Sequence, residues 1–387
     1  MSPDNQLESR VRQRLADLLD ADLMRTMRPP HGVDFSSNDY LQLSIHAAVV
    51  AAFSAGVTAE GAGSTGSRLL RGEREAFEAL ERHFAAFVGA ERALFFSSGF
   101  LANLAVLSTL PEAGDVIFSD ALNHASLIDG VRMSKASRVV FAHNDPADLE
   151  RRLADTPCSG QRFVVVESLF SMDGDEAPLA EYARICRDTG ATLIVDEAHA
   201  VGLFGERGSG LVEESGINRA ALITVSPAGK ALGVGGALVA GPAWAIDYLI
   251  QRARTFVFST AAPPAVAHAL IAAVDVIHSE PWRRALLLER ASRLRARLAD
   301  LGVTLAQGRS HIIPVHIGPN DTAMAVATTL QHEGFDVRAV RPPTVPVDTS
   351  RLRVSVNIGV DDSTLERFAV RLASALKEAG ICSAASS

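Results

Sequence analysis

At 387 residues, with 48% apolar and 21% charged side chains, the chain has the composition of a globular enzyme and length enough for a large core. Its net charge of -8 argues against a general nucleic-acid binder. No apolar run is long enough to span a bilayer, and the charged, amphipathic start MSPDNQLESRVRQRLADLL is unlike a signal peptide; Cys158, Cys186 and Cys382 lack metal or redox spacing, which suits a reducing cytoplasm.

Residues 4 to 22 read as an amphipathic helix, which MRPPHGVDFSSNDYLQLS ends with two prolines and a glycine, so residues 1–50 read as a helix and arm. In GAGSTGSRLLRG, Gly61, Gly63 and Gly66 match a dinucleotide fingerprint by letter alone, because the preceding HAAVVAAFSAGVTAE reads as helix and turn rather than strand. Glu73 to Val88 follows as a helix with Phe77, Leu80, Phe84 and Phe87 on one face. A short strand, Ala93 to Phe96, then runs into SSGFLANLAVLSTL. Ser98 and Gly99 there open a helix, whose free N–H groups and positive dipole end suit a phosphate; serine capping explains the same letters nearly as well.

Strand-like and helix-like segments then alternate: Val116 to Phe118, Arg138 to Ala142, Phe163 to Glu167, a helix Leu179 to Thr189, and strands Thr192 to Val195 and Ala221 to Val225. That alternation predicts an α/β fold with a mostly parallel central sheet wrapped by helices over residues 51–275. A smaller α+β C-terminal domain over 276–387 is expected to hold a helix Pro281 to Leu301, a strand His311 to Ile317, a helix Thr322 to Gly334, a strand Arg351 to Asn357 and a helix Asp362 to Ala379.

The last two strands of the first series carry the chemistry. One delivers Asp196, with His199 three residues on; the other delivers Lys230 in a glycine-flanked turn, and in open α/β sheets ligands gather at the carboxyl ends of the strands. Pyridoxal phosphate (PLP) needs such a set, a lysine for its Schiff base and an acid that keeps its pyridine nitrogen protonated, so that the ring acts as an electron sink. Taken singly, Asp196 reads as a turn former and Lys230 as solvated surface. A metal site at Asp196 and His199 lacks a third ligand nearby in sequence, and Lys230 does not sit in a Walker A loop, since Thr224 and Ala231 occupy the required glycine and hydroxyl positions.

Jointly, SSNDYLQLS, GSR, SSGFLAN, NHASLIDG, SMDGDEAPL, VDEAHAVG, GKALGVGG, FSTAAPP, RPPTVP and RLRVSV resemble the α-oxoamine synthases of the aspartate-aminotransferase-like PLP fold over nearly the whole chain. The resemblance implies decarboxylative condensation of an amino acid with an acyl thioester. RPPTVP followed by TSRLRVSV looks most like the branch that joins L-alanine to a pimeloyl thioester in biotin biosynthesis. It also implies roles: Lys230 as Schiff-base lysine and general base, Asp196 on the pyridine nitrogen, His199 on the ring hydroxyl and His124 stacked on the ring face. Ser98, Gly99, Phe100 and Ser226 would serve the phosphate, with Ser171 near the ring and Thr260 reaching the phosphate from a partner subunit, which makes the enzyme a homodimer with shared sites. Asn38 and Arg353 would take the amino-acid carboxylate and Thr344 would touch substrate. Ser67, smaller than the threonine of glycine-specific relatives, would leave room for the alanine methyl. The chain departs from the family at Pro227, where a threonine hydroxyl usually helps to hold the phosphate. Arg68, Arg71, Arg252 and Arg254 suit the phosphates of CoA, an acidic carrier protein, or plain solvated surface. The same residues also admit a sister condensation with glycine or serine, and Pro227 admits a PLP-binding protein without turnover.

Overall fold

The computed structural model describes residues 6–217 and 222–381; Cys382 and the expected start of a strand at Ala221 lie outside them. The chain forms two compact units. One gathers the N-terminal segment through Ser37, Met172–Gly174 and Leu287–Ser387; the other holds Asn38–Ser171 and Asp175–Leu286.

The second unit is built on a seven-stranded sheet, in the order Arg92–Phe96, Ala237–Gly241, Leu222–Pro227, Thr192–Asp196, Arg162–Glu167, Val116–Asp120, Ser137–Phe141. The five strands from Leu222–Pro227 to Ser137–Phe141 run parallel, and Ala237–Gly241 is antiparallel to both its neighbours. The β-branched runs of the central strands are buried on both faces, with Val164, Val165, Val166, Ile194 and Val195 fully covered, as a sheet flanked by helices requires. One face packs Leu94, Ile117, Val165, Ile194, Ile223 and Val239 against Ala102, Val106, Leu127 and Ile246 of the helices Gly99–Thr109, Ala125–Met133 and Ala243–Arg252. Burial of each large aliphatic side chain contributes about 1.5–3 kcal/mol.

In the first unit a three-stranded antiparallel sheet, ordered Ala339–Val340, Ser350–Ser355, Ile312–Gly318, packs with the helix Asn320–His332, which in turn meets Asp362–Glu378. The N-terminal segment completes this unit. Val33–Asp34 pairs in parallel with Phe335–Asp336, and Phe35 stacks on Phe368 with ring centroids 3.9 Å apart. The expected divisions at residues 50 and 275 therefore move. Residue 275 lies inside the helix Pro264–Ser279, and the division falls after Leu286, within Trp282–Asp300. Hydrophobic pattern marks helices but carries no record of which partner strand a distant two-residue segment will join. Among the described residues no helix is long and apolar enough to cross a membrane.

Candidate active site

Parallel register brings the expected acid to the sheet's carboxyl edge, where Asp196 is the last residue of its strand and is 4% exposed. Its Oδ2 accepts a hydrogen bond from Asn103 Nδ2 at 2.7 Å and its Oδ1 accepts one from the Ala198 N–H at 2.8 Å. Each oxygen of this buried side chain therefore has a donor, as a buried polar group requires.

Lys230 lies in the turn after Leu222–Pro227, tied by hydrogen bonds from Ala228 N–H to Gly236 O and from Gly233 N–H to Lys230 O. Gly233 has φ +68°, and a Cβ there would stand 2.3 Å from Ser44 N, so only glycine lets the turn close against that backbone. Lys230 Nζ is 2.9 Å from His199 Nε2, and His199 Nδ1 is 2.7 Å from the Tyr40 hydroxyl. Tyr40 donates to Asn38 Oδ1 at 2.8 Å. With that proton spent on Asn38, the tyrosine oxygen accepts from His199 Nδ1–H, which leaves Nε2 as the acceptor facing the lysine amine. The chain's basic residues sharpen the assignment. Only three are lysines, and Lys135 and Lys377 are both exposed, whereas Lys230 is half-buried beside the buried His199.

His124 caps the helix Ala125–Met133, its Nδ1 accepting the Ser126 N–H at 3.2 Å. Asn103 Nδ2 also donates to Ser126 Oγ at 2.8 Å, and that hydroxyl lies 2.8 Å from His124 Nδ1, so one amide ties the Asp196 carboxylate to the histidine. Burial holds the His124 imidazole below its usual value; the Asp196 charge pulls it up and the Lys230 charge pushes it down. The side chain expected to face the ring is thus a helix cap.

The expected phosphate cradle has a different character. Ser98 is the N-cap of Gly99–Thr109, its Oγ accepting the Leu101 N–H at 3.3 Å, and the N–H groups of Gly99 and Phe100 fall in the first turn, where the helix itself supplies no acceptor. The Pro227 ring lies against this turn: a Cβ on Gly99 would sit 2.6 Å from Pro227 Cγ. Ser226 is 1% exposed, and its Oγ has no hydrogen-bond partner among the described residues. Thr260 is exposed and lines a small cavity with Ser97, Phe96 and Arg68. Of the three readings that the sequence leaves open for Arg68, solvated surface does not hold, since its side chain is 9% exposed. It is ion-paired with Glu73 and Glu81 and lies 4.9 Å over the Phe77 ring.

Ser67 precedes the helical turn Arg68–Gly72 and is half-buried, and Ser171 is buried, with its N–H donating to Glu167 Oε2 at 3.2 Å. Arg353 and Thr344 belong to the first unit. Arg353 is 8% exposed on the strand Ser350–Ser355 and donates to Ser355 Oγ at 2.7 Å, while Thr344 Oγ1 accepts from Arg25 at 3.3 Å. A cavity of about 290 Å³ in that unit is lined by Thr344, Arg25, Arg338, Arg341, Met24 and Met324, among others. Sequence reading missed Tyr40, Asn103 and Glu167, although Tyr40 stands within the quoted SSNDYLQLS. A scarcity of lysine against 37 lysines plus arginines was the one sequence signal for Lys230 left unused.

PLP brings a phosphate, a ring nitrogen that takes a proton and an aldehyde. The orphaned Ser226 Oγ and the Gly99 and Phe100 N–H groups suit the first, donor-supported Asp196 the second and Lys230 the third, so the residues fit the group. The class that fold and site define is a PLP-dependent enzyme of the aminotransferase type.

A family model described as aminotransferase class I and II matches residues 30–372. An 8-amino-7-oxononanoate synthase of Marinobacter nauticus is 44% identical over 88% of this chain and 86% of the relative. Among solved structures, a Sphingomonas wittichii serine palmitoyltransferase superposes with TM-score 0.89 at 30% identity, covering 98% of this chain and 99% of its own. An 8-amino-7-oxononanoate synthase of Francisella tularensis gives TM-score 0.78 at 30% identity, over 90% and 98%. The chain belongs to the 8-amino-7-oxononanoate synthase family, within aminotransferase class I and II.

Proposed function

We propose that this protein catalyses the PLP-dependent decarboxylative condensation of L-alanine with a pimeloyl thioester to 8-amino-7-oxononanoate, a step of biotin biosynthesis. The observation that carries the reading is Lys230 hydrogen-bonded to the buried His199, with buried Asp196 ending the adjacent strand, in a chain 44% identical to curated synthases of that name. When bound, PLP supplies the electron sink that stabilises negative charge at the amino-acid Cα.

The chain's own residues do the rest. Asp196, with donors from Asn103 and the Ala198 N–H, would pair with the protonated ring nitrogen, and His124 would stack on the ring face. Lys230 takes the Cα proton and returns it after carbon dioxide leaves; His199 Nε2, an acceptor, orients its amine. Ser98, Gly99, Phe100 and Ser226 would hold the phosphate, Thr260 of a second copy would reach it in a homodimer, and Ser171 would stand near the ring. Ser67 leaves room for the alanine methyl. Asn38, Arg353 and Thr344 are assigned to substrate on the resemblance. The Met- and Arg-lined cavity beside Thr344 suits an acyl chain ending in a carboxylate. This chemistry belongs in the cytoplasm.

The test is one mass-spectrometric assay of purified protein with PLP, in which alanine, glycine or serine is offered with pimeloyl-CoA, a pimeloyl carrier protein or palmitoyl-CoA. Product from alanine and a pimeloyl donor supports the reading; product only from another pair assigns a sister activity. Ser67→Thr is expected to shift preference toward glycine.

A further inference from the structure

Glu167 ends the strand Arg162–Glu167 and pairs directly with Asp196 on the neighbouring parallel strand. Both are buried, 2% and 4% exposed. Two carboxylates at one pairing position away from water do not both ionise near neutrality, and the donors around them decide which one does. Asp196 has a donor on each oxygen. Glu167 has the backbone N–H groups of Ser171, on Oε2 at 3.2 Å, and of His124 as donors, while its buried Oε1 has no hydrogen-bond partner among the described residues. An unpaired neutral hydroxyl costs less than an unpaired buried charge, so the proton belongs on Glu167 Oε1.

We propose that Glu167 works as a neutral carboxylic acid and as a positioning residue: it leaves Asp196 the single negative charge where the two strands end, while its Oε2 ties down the backbone of Ser171. The proposal rests on the assignment of the PLP site to Asp196 and Lys230. The groups acting on Glu167 agree with the geometry. Burial, and next the charge of Asp196 on the adjacent strand, push Glu167 up to about 8, while Lys230 from the following turn pulls the other way. Burial disfavours the charged form of His124, and the backbone N–H groups of His124 and Ser171 pull Glu167 down with Lys230. As pH rises through about 8, a second negative charge therefore develops beside Asp196.

Infrared difference spectra of the full chain against Glu167→Gln, with and without PLP, read this directly. At neutral pH the wild type is expected to show a protonated-carboxyl C=O band that Glu167→Gln lacks, and the band is expected to fade as pH rises through about 8. In the holoenzyme, the visible band of lysine-bound cofactor is expected to show an alkaline step that Glu167→Gln loses. Absence of the infrared band at neutral pH overturns the proposal, and so does an alkaline step retained in the variant. A band present in a protein that binds no PLP overturns the cofactor reading and the positioning role together, while leaving the protonation in place. If Glu167→Gln does not fold, glutamate-labelled wild type followed by carboxyl carbon NMR carries the same test: one signal must titrate near 8, and titration of every glutamate in the ordinary acid range overturns the proposal.

Discussion

The proposed ring end of the site and its proposed phosphate end are built on opposite plans. Around Asp196 and Lys230, Asn103 Nδ2, Ser126, His199, Tyr40 and Asn38 each have a partner in the protein itself, with Glu167 Oε1 an exception that carries a proton in the proposal above. Around the start of Gly99–Thr109, Pro227 offers no donor, Ser226 Oγ has no partner among the described residues, and the first-turn N–H groups have no helical acceptor. A protonation state must be held whether or not a ligand is present, so the protein spends side chains on it. A phosphate brings its own charge and needs only donors left open.

The largest break in this contrast comes from Asp196→Asn. It removes the charge that the ring end exists to hold, and kcat is expected to fall by about 10²–10³, read by steady-state kinetics with PLP saturating. Asn103→Ala strips one donor from the buried Asp196 and the link to Ser126, at a cost of about 1–3 kcal/mol in the rate barrier. Combined with Asp196→Asn it is expected to be far less than additive, because both act on one charge. Tyr40→Phe should cost about 1 kcal/mol, roughly fivefold in kcat, through misorientation of His199. At the phosphate end, Pro227→Thr restores a hydroxyl and should tighten PLP by roughly fivefold, net of the packing lost on Gly99, as measured by equilibrium dialysis of the apoenzyme.

A clasp outside both regions supplies a pH control. His143 bridges Asp120 at 2.8 Å and Asp175 at 2.7 Å. Burial lowers its value, but the bonds and charges of Asp120 and Asp175 outweigh that and raise it to about 10. Because the folded value lies above the ordinary imidazole value of about 6.5, this clasp stabilises fully below that pH and its contribution fades as pH rises to about 10. Thermal unfolding of wild type and His143→Gln should therefore converge at alkaline pH, with the smallest effect on turnover of all the changes above.

Much of this contrast was legible in the sequence. Apolar, β-branched runs placed Asp196 and Lys230 at strand ends, and the helix Leu179–Thr189 stands where its pattern put it. Ala237–Gly241 escaped because a short run between glycines looks like the continuation of the Lys230 turn, and only its pairing with Arg92–Phe96 and Leu222–Pro227 makes it a strand. Pro227 was legible as a lost hydroxyl but not as a ring packed on Gly99. Asn103, Tyr40 and Glu167 were invisible for a plain reason: their meaning lies in which strand end or loop they meet, and Asn103 meets Asp196 across 93 residues of chain.

Borohydride reduction of the holoenzyme followed by peptide mass mapping tests the central claim most directly, since the chain offers three lysines to choose from. The account predicts a pyridoxyl group on Lys230 in the wild type and none anywhere in Lys230→Ala. Label on Lys135 or Lys377, or an unlabelled wild type under saturating PLP, contradicts it.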